Sequence, residues 1–258
     1  MQETTTIAGR HAAVTGGSRG IGFAVAEALV RQGARVTILG RDRARLADAA
    51  ARLGPGAQGL AADVADGAAL TAAMAEAARL QGPVDILVNN AGGAESVPFR
   101  RMVEEDFRRM LDLNLVSAFT ATRAVLPGML DRGWGRVVNV ASTAGLKGYA
   151  YVAHYCAAKH GLVGLTRALA VELARTAVTV NAVCPGYTDT DLLRGAVANV
   201  VAKTGLTPAE AMARMTADNP QGRPVRPEEV AAAVLWLCGP GSDSVTGQSI
   251  SVSGGEVT

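Results

Sequence analysis

A tyrosine and a lysine stand four residues apart in the stretch AHYCAAKHG, at Tyr155 and Lys159. Residues at i and i+4 share one face of a helix, so the ammonium can lie beside the phenol. A free tyrosine titrates near pH 10, and a unit positive charge about 4 Å away contributes roughly 4 kcal/mol at an effective dielectric of about 20. The spacing therefore predicts a tyrosine whose pKa is lowered toward the working pH and which exchanges a proton with a substrate oxygen.

A second candidate site is the glycine-rich segment TGGSRGIG, which covers residues 15–22 and overlaps the end of the apolar stretch HAAVTG. Its glycines permit a tight turn and a close backbone approach, and the N–H groups that open the next helix suit a pyrophosphate. Glycines also serve turns for purely structural reasons, but the position between a strand and a helix favours a dinucleotide site. The predicted cofactor-binding residues here are Gly16, Ser18, Arg19, Gly20, Ile21 and Gly22.

The elements that position these residues follow from the hydrophobic pattern, in which short β-branched segments alternate with longer Ala/Leu/Arg-rich ones. The predicted strands cover residues 11–16, 35–40, 59–64, 84–92, 136–142, 178–186 and 248–255. The predicted helices cover residues 20–32, 42–53, 66–81, 104–131, 151–175 and 227–238. This order predicts one α/β domain over 1–258, with a doubly wound parallel seven-stranded sheet and helices on both faces. The segment 187–226 is too long for an ordinary connection and is predicted to be functional.

The motifs occur in a fixed order: the spacing TGxxxGIG, then NNAG at 89–92, Ser142 ahead of the Tyr155-x-x-x-Lys159 pair, and PG at 185–186. Together they resemble the short-chain dehydrogenase/reductase family over about residues 8 to 255. The resemblance implies a Rossmann-like fold, a homotetramer and hydride transfer between C4 of a nicotinamide and a carbonyl or carbinol carbon. In that reaction Tyr155 donates or accepts the proton of the oxygen.

The resemblance also assigns roles to single residues. Ser142 would bind the substrate oxygen and stabilise a developing oxyanion. Asn114, in LDLNLVSAF, is similar to the residue that holds a water behind the lysine; the alternative is a helix-interior asparagine bonded to backbone. Asn90 lines the cofactor or serves only to tie strands together. The implied catalytic residues are Asn114, Ser142, Tyr155 and Lys159. The further implied cofactor contacts are Asp63, Val64, Asn90, Ala91, Gly92, Tyr155, Lys159, Pro185, Gly186, Thr188 and Thr190.

The choice of dinucleotide depends on the end of the second strand, which reads ILGRDR. Gly40 occupies the position at which NAD-type members of the resembling family carry Asp, and Arg41 follows it. An acidic residue would reject a 2′-phosphate, whereas the guanidiniums of Arg41 and Arg19 would bind one. NADP(H) is therefore favoured. NAD(H) stays open, because both arginines can be solvated surface residues and Asp42 is acidic.

Composition and charge limit the other possibilities. The formal net charge is +2 and no basic run stands out, which excludes a nucleic-acid surface. The three cysteines are scattered, and His154 and Cys156 are neighbours that point in different directions on a helix, so we predict no metal site. The N-terminal stretch MQETTTIAGR lacks the apolar core of a signal peptide, and no apolar run reaches membrane-spanning length. We expect a cytoplasmic protein that acts away from membranes.

The favoured function is an NADP(H)-dependent oxidoreductase acting on a ketone or secondary alcohol, either a 3-oxoacyl thioester or a similar hydrophobic ketone. The segment 187–226 is predicted to form a helical substrate lid, and its length resembles the longer lids of polyketide ketoreductases. The alternative is an NAD-dependent alcohol or hydroxyacyl-CoA dehydrogenase in a degradative pathway. A non-catalytic dinucleotide-sensing protein is a third possibility, which the presence of Ser142, Tyr155 and Lys159 disfavours.

Overall fold

The computed structural model describes residues 6–258 and contains a parallel sheet in the order β3-β2-β1-β4-β5-β6-β7. Residues 1–5, which belong to the stretch used for the signal-peptide prediction, lie outside the described residues. The strands are β1 (His11–Thr15), β2 (Arg35–Gly40), β3 (Ala57–Ala61), β4 (Ile86–Asn89), β5 (Gly135–Val140), β6 (Val178–Pro185) and β7 (Ser249–Val252). The strand order reverses between β1 and β4, and ligands of open α/β sheets bind at that kind of crevice.

The helices cover both faces of this sheet. They are α1 (Gly20–Arg31), α2 (Arg43–Leu53), α3 (Gly67–Gln81), α4 (Glu104–Leu111), α5 (Ser117–Asp131), α6 (Ala153–Glu172), α7 (Asp191–Thr204), α8 (Pro208–Met215) and α9 (Pro227–Cys238). The predicted doubly wound parallel seven-stranded fold is confirmed. The segment 187–226 is helical as predicted, because it contains α7 and α8.

The core is split by the sheet into two layers, because alternate side chains of a strand point to opposite faces. Ala12 and Val14 of β1 pack in the layer formed with α1, α2 and α9. Ala13, between them, packs in the layer formed with α3, α5 and the end of α6. Both faces are apolar, which is why the strands appear in the sequence as nearly continuous hydrophobic stretches.

Several predicted boundaries were wrong: the strands predicted over 84–92 and 248–255 cover only Ile86–Asn89 and Ser249–Val252, and three further differences affect the site. The third strand covers Ala57–Ala61 rather than 59–64, so Asp63 and Val64 lie in the turn after it. The helix predicted over 104–131 is interrupted by a π-helical turn at Asp112–Val116, which separates α4 from α5. The helix predicted from residue 151 begins at Ala153, because Tyr151 has a φ of 67°, in the left-handed region that ends helical geometry.

Candidate active site

The glycine-rich loop joins β1 to α1 at the carboxyl edge of the sheet. Gly16 and Gly20 have φ values of 64° and 53°, which side chains rarely adopt. A Cβ atom at Gly22 would overlap the carbonyl oxygen of Gly16, so the backbone can close this tightly only with glycine there. The loop therefore presents the N-terminus of α1 as a narrow cradle, and this fits the pyrophosphate of a dinucleotide.

Asn90 braces the loop from the end of β4. Its Nδ2 donates to the carbonyl oxygens of Thr15 (2.9 Å) and Gly16 (3.2 Å). The backbone N–H groups of Asn90 and Ala91 both donate to Thr15 Oγ1 at 3.0 Å. The side chain of Asn90 thus ties the end of β4 to the end of β1, which is the structural alternative to a cofactor contact. The backbone at Ala91 lies next to the glycine-rich loop.

Ser142, Tyr155 and Lys159 meet where β5 ends and α6 begins. Ser142 Oγ accepts a hydrogen bond of 3.1 Å from the backbone N–H of Ala144. Lys159 is buried, and its Nζ donates to the carbonyl oxygen of Val140 at 2.9 Å. The same Nζ lies 5.7 Å from the centroid of the half-buried Tyr155 ring. The structure therefore brings the predicted serine, tyrosine and lysine together.

The predicted lowering of the tyrosine pKa is wrong for this arrangement. Burial raises the pKa of Tyr155 to about 12, and the nearby Ser142 hydroxyl offsets only part of that rise. Burial also lowers the pKa of Lys159 to about 8. Desolvation disfavours the charged form of both groups, and it outweighs the attraction between them that the i, i+4 spacing suggested. A phenol with this pKa is protonated at neutral pH and suited to donate its proton.

Asn114 lies in the π-helical turn, a feature found frequently at functional sites. Its Oδ1 accepts from the N–H of Gly93 (3.2 Å), and its Nδ2 donates to the carbonyl oxygens of Gly93 (3.0 Å) and Met110 (3.1 Å). A Cβ atom at Gly92 would lie 2.6 Å from Asn114 Oδ1 and 3.6 Å from Lys159 Nζ. Asn114 is thus close to Lys159. Its side chain is hydrogen-bonded to backbone, as expected for a helix-interior asparagine, which was the alternative to a water-holding role.

The predicted 2′-phosphate region lies between the end of β2 and the glycine-rich loop. A Cβ atom at Gly40 would meet Ser18 Oγ and Leu46, both at more than 3.5 Å, so there is room beside the loop where an acidic side chain would otherwise stand. Arg41 follows at the exposed end of the strand. Arg19 instead reaches the first residue of α7, with its Nη1 3.6 Å from Asp191 Oδ2. The sequence did not predict this contact between the loop and the lid.

The remaining predicted cofactor residues lie on two turns. Asp63 caps the turn after β3, where its Oδ1 accepts from the N–H of Ala65 at 3.0 Å, and Val64 is buried. After β6, Thr188 Oγ1 donates to the carbonyl oxygen of Gly186 at 3.0 Å. Thr190 approaches the glycine-rich loop, because its Cγ2 would lie 3.1 Å from a Cβ atom at Gly20. The turn at 185–190 thus reaches from the end of β6 to the cradle.

Sequence reasoning missed Glu256, near the end of the chain. Its side chain is 2 % exposed, its Oε1 lies 3.2 Å from Lys147 Nζ, and it accepts a hydrogen bond from the hydroxyl of Tyr149. A Cβ atom at Gly186 would lie 2.8 Å from its Oε2. The only signal in the sequence was an acidic residue just after the last strand, at the carboxyl edge where the other site residues gather.

Within residues 6–258, no group of three or more His, Cys, Asp or Glu side chains is arranged to hold a metal ion. No helix in that range has the length and apolarity needed to cross a membrane.

Comparison with known proteins shows the family. The family model for short chain dehydrogenase matches residues 10–200. A crystal structure of a variant actinorhodin polyketide ketoreductase with NADPH is 40% identical, with a TM-score of 0.92 over 98% of each chain. The 3-oxoacyl-[acyl-carrier-protein] reductase FabG of Vibrio cholerae is 37% identical over 96% of this chain and 97% of the relative. The acetoacetyl-CoA reductase of Rhizobium meliloti is 39% identical over 96% of this chain and 98% of the relative.

The chain belongs to the short chain dehydrogenase family, and the predicted family membership is confirmed. It is an NAD(P)-dependent oxidoreductase of that family.

Proposed function

We propose that the protein is an NADP(H)-dependent ketoreductase whose substrate is a 3-oxoacyl thioester or a similar hydrophobic ketone. The observation that carries this proposal is the placement of the Tyr155 phenol with Ser142 and Lys159, whose Nζ lies 5.7 Å from the centroid of the tyrosine ring; burial raises the pKa of Tyr155 to about 12 and keeps the phenol protonated. An acid of this kind suits reduction, in which a ketone oxygen must gain a proton as the carbon gains a hydride.

Each residue of this group has a definite task in the reduction. Ser142 Oγ already accepts from the N–H of Ala144, so its own proton is free to bind the ketone oxygen. Tyr155 donates its proton to that oxygen. Lys159, held by Val140, lies over the phenol ring and stabilises the tyrosinate that remains. The hydride gained by the carbonyl carbon would come from NADPH bound in the glycine cradle.

The proposed cofactor contacts are those predicted above, with the phosphates in the glycine cradle. NADP(H) is the favoured dinucleotide, because no carboxylate stands at Gly40 and Arg41 is next to it. The NADPH in the related actinorhodin ketoreductase structure supports this choice.

The apolar residues of the lid favour a hydrophobic substrate. An apolar cavity of about 490 Å³ lies between α7 and α8, with Arg194 at its side. It is lined by Val197, Ala198, Val201, Ala202, Pro208 and Met212. An acyl chain that extended from the catalytic residues into this cavity would bury apolar surface, at about 25 cal/mol per Å².

The experiment that tests this function is a panel of simple ketones and 3-oxoacyl thioesters, assayed with NADPH and with NADH. We expect NADPH-dependent reduction, with kcat/KM highest for the thioesters or for hydrophobic ketones of similar length. Faster NAD⁺-dependent oxidation of the corresponding alcohols, with no preference for NADPH, would favour the degradative dehydrogenase instead.

We also propose a homotetramer in the cytoplasm. Val116 and Phe119 are exposed apolar residues on the α4–α5 side, and Val171 and Trp236 are exposed on α6 and α9, which offers two separate surfaces for association. Light scattering at micromolar concentration should give about four times the mass of the 26.4 kDa chain. A monodisperse monomer would contradict the proposal.

A further inference from the structure

Glu256 is a buried carboxylate beside the active site that the proposed mechanism does not use. Its side chain is 2 % exposed, and its Oε1 is bound by the Tyr149 hydroxyl and by Lys147 Nζ at 3.2 Å. A buried charge is costly unless it is paired and hydrogen-bonded, so this position is built to hold a carboxylate.

The carboxylate lies close to the turn after β6 and, through Tyr149, to the residues beside Ser142. Its Oε2 lies next to Gly186, in the turn that follows β6. The Tyr149 hydroxyl, which it binds, is also 2.6 Å from Thr143 Oγ1, and Thr143 directly follows Ser142. Burial raises the pKa of Tyr187, and the charge of Glu256 raises it further. Glu256 therefore lies between the turn after β6 and the residues that flank Ser142.

The C-terminal segment fixes Glu256 in place. Gly254 and Gly255 have φ values of 65° and 94°, which turns the chain sharply after β7. A Cβ atom at Gly254 would overlap the side chain of Asn219, and one at Gly255 would lie 3.3 Å from Pro220. The segment is packed against the residues that follow α8, so the carboxylate cannot simply swing away into solvent.

The local charge is not balanced. Lys147 Nζ lies 3.2 Å from Glu256 Oε1 and 3.2 Å from Asp218 Oδ2, so one ammonium serves two carboxylates. Asp218 is mostly exposed, and solvent screens its charge, whereas Glu256 is shielded from solvent. The Lys147 ammonium is itself partly exposed and is shared with Asp218, so solvent screens its positive charge more than the shielded carboxylate of Glu256.

We infer that Glu256 is a specificity-determining residue that disfavours ketones with a negative charge near the carbonyl group. Neutral esters and thioesters are accepted, whereas the corresponding free 3-oxoacids are repelled by the buried carboxylate. The inference rests on the proposed ketone reduction and defines its substrate class more narrowly.

The test compares ethyl acetoacetate with acetoacetate, which share the ketone and differ in charge. We expect the wild-type protein to prefer the ester, and Glu256→Gln to reduce the ratio of the two kcat/KM values about tenfold, or ~1.4 kcal/mol. Glu256→Asp keeps the charge and should keep most of the preference. Asp218→Asn is the matched control, because it removes the exposed, solvent-screened partner of Lys147; its ratio should change much less than that of Glu256→Gln.

Binding to the NADP⁺ complex, measured by ligand-observed NMR for the same two compounds, separates this inference from the proposed function. If neither ketone is reduced but Glu256→Gln tightens acetoacetate binding relative to the ester, the inference stands and the proposed function fails. An unchanged ratio of dissociation constants in a Glu256→Gln protein that retains the wild-type Tm overturns the inference, whether or not the ketones are reduced.

Discussion

The glycine-rich loop and the surroundings of Glu256 both lie at the carboxyl edge of the sheet, yet they are constructed by different means. The loop is formed by the backbone: Gly16 and Gly20 adopt positive φ, and Gly22 lies against the carbonyl oxygen of Gly16. The surroundings of Glu256 are formed by side chains from distant parts of the chain, because Tyr149 and Glu256 are 107 residues apart. A backbone cradle serves one constant ligand, whereas side chains can change from one family member to the next and alter the substrate.

The largest effect should come from Tyr155. Tyr155→Phe keeps the ring and removes the acid, so turnover should fall by about 10²–10⁴-fold, the range typical of general acid–base catalysis. NADPH affinity, measured by fluorescence titration, should remain close to that of wild type. Substantial residual turnover would mean that another group supplies the proton.

On the cofactor side, Arg41→Ala should erase most of the preference for NADPH over NADH. A charged hydrogen bond contributes about 1.5–3 kcal/mol, or roughly ten- to a hundredfold in affinity. The loss should appear in the KM for NADPH, with little change for NADH. Arg19→Ala should lose less, because Arg19 also pairs with Asp191, and the double variant should lose more than either single one. Equal use of both cofactors by the wild type would show that Asp42 or the backbone binds the ribose.

Replacing one glycine by alanine in the glycine-rich loop and one in the lid tests whether the loop depends on its backbone more than the lid does. Gly22→Ala should lower the free energy of unfolding by about 1–3 kcal/mol, the usual cost of overpacking, and weaken NADPH binding. Gly195→Ala in α7 is the control, because its Cβ would meet no atom within 4 Å; it should stabilise the protein by up to about 1 kcal/mol. Thermal unfolding with and without NADPH measures both. Equal effects at the two positions would refute the distinction between the loop and the lid.

Near neutral pH, titration of Lys159 should give the smallest effect. Burial lowers the pKa of Lys159 to about 8, so the ammonium is charged below that pH and loses its proton as the pH rises through it. The kcat/KM for NADPH reports the free enzyme, and it should be level below about pH 8 and fall about tenfold per pH unit above it. A profile that stays level to pH 10 would show that Lys159 keeps a normal pKa.

The sequence was a good guide where structure is local. The glycine spacing gave the cradle, and the i, i+4 spacing placed Tyr155 and Lys159 on one face of α6. It failed where the outcome depends on burial or on distant contacts. The direction of the Tyr155 pKa shift follows from desolvation, which the spacing does not contain. Glu256 could not be assigned, because only the folded chain brings the C-terminal segment to Tyr149 and Gly186.

The position of β1 in the middle of the sheet also limits how the protein can fold. The N–H of His11, at the start of β1, donates to Asp85, 74 residues later, and β1 then pairs with β4 through Ala12 and Ile86. Closing so long a loop costs entropy before any contact repays it, and such topologies fold slowly. During synthesis, the crevice for the dinucleotide cannot form until β4 has left the ribosome. Until then, about the first third of the chain has been made, and β1 has no partner strand on the side that β4 later occupies.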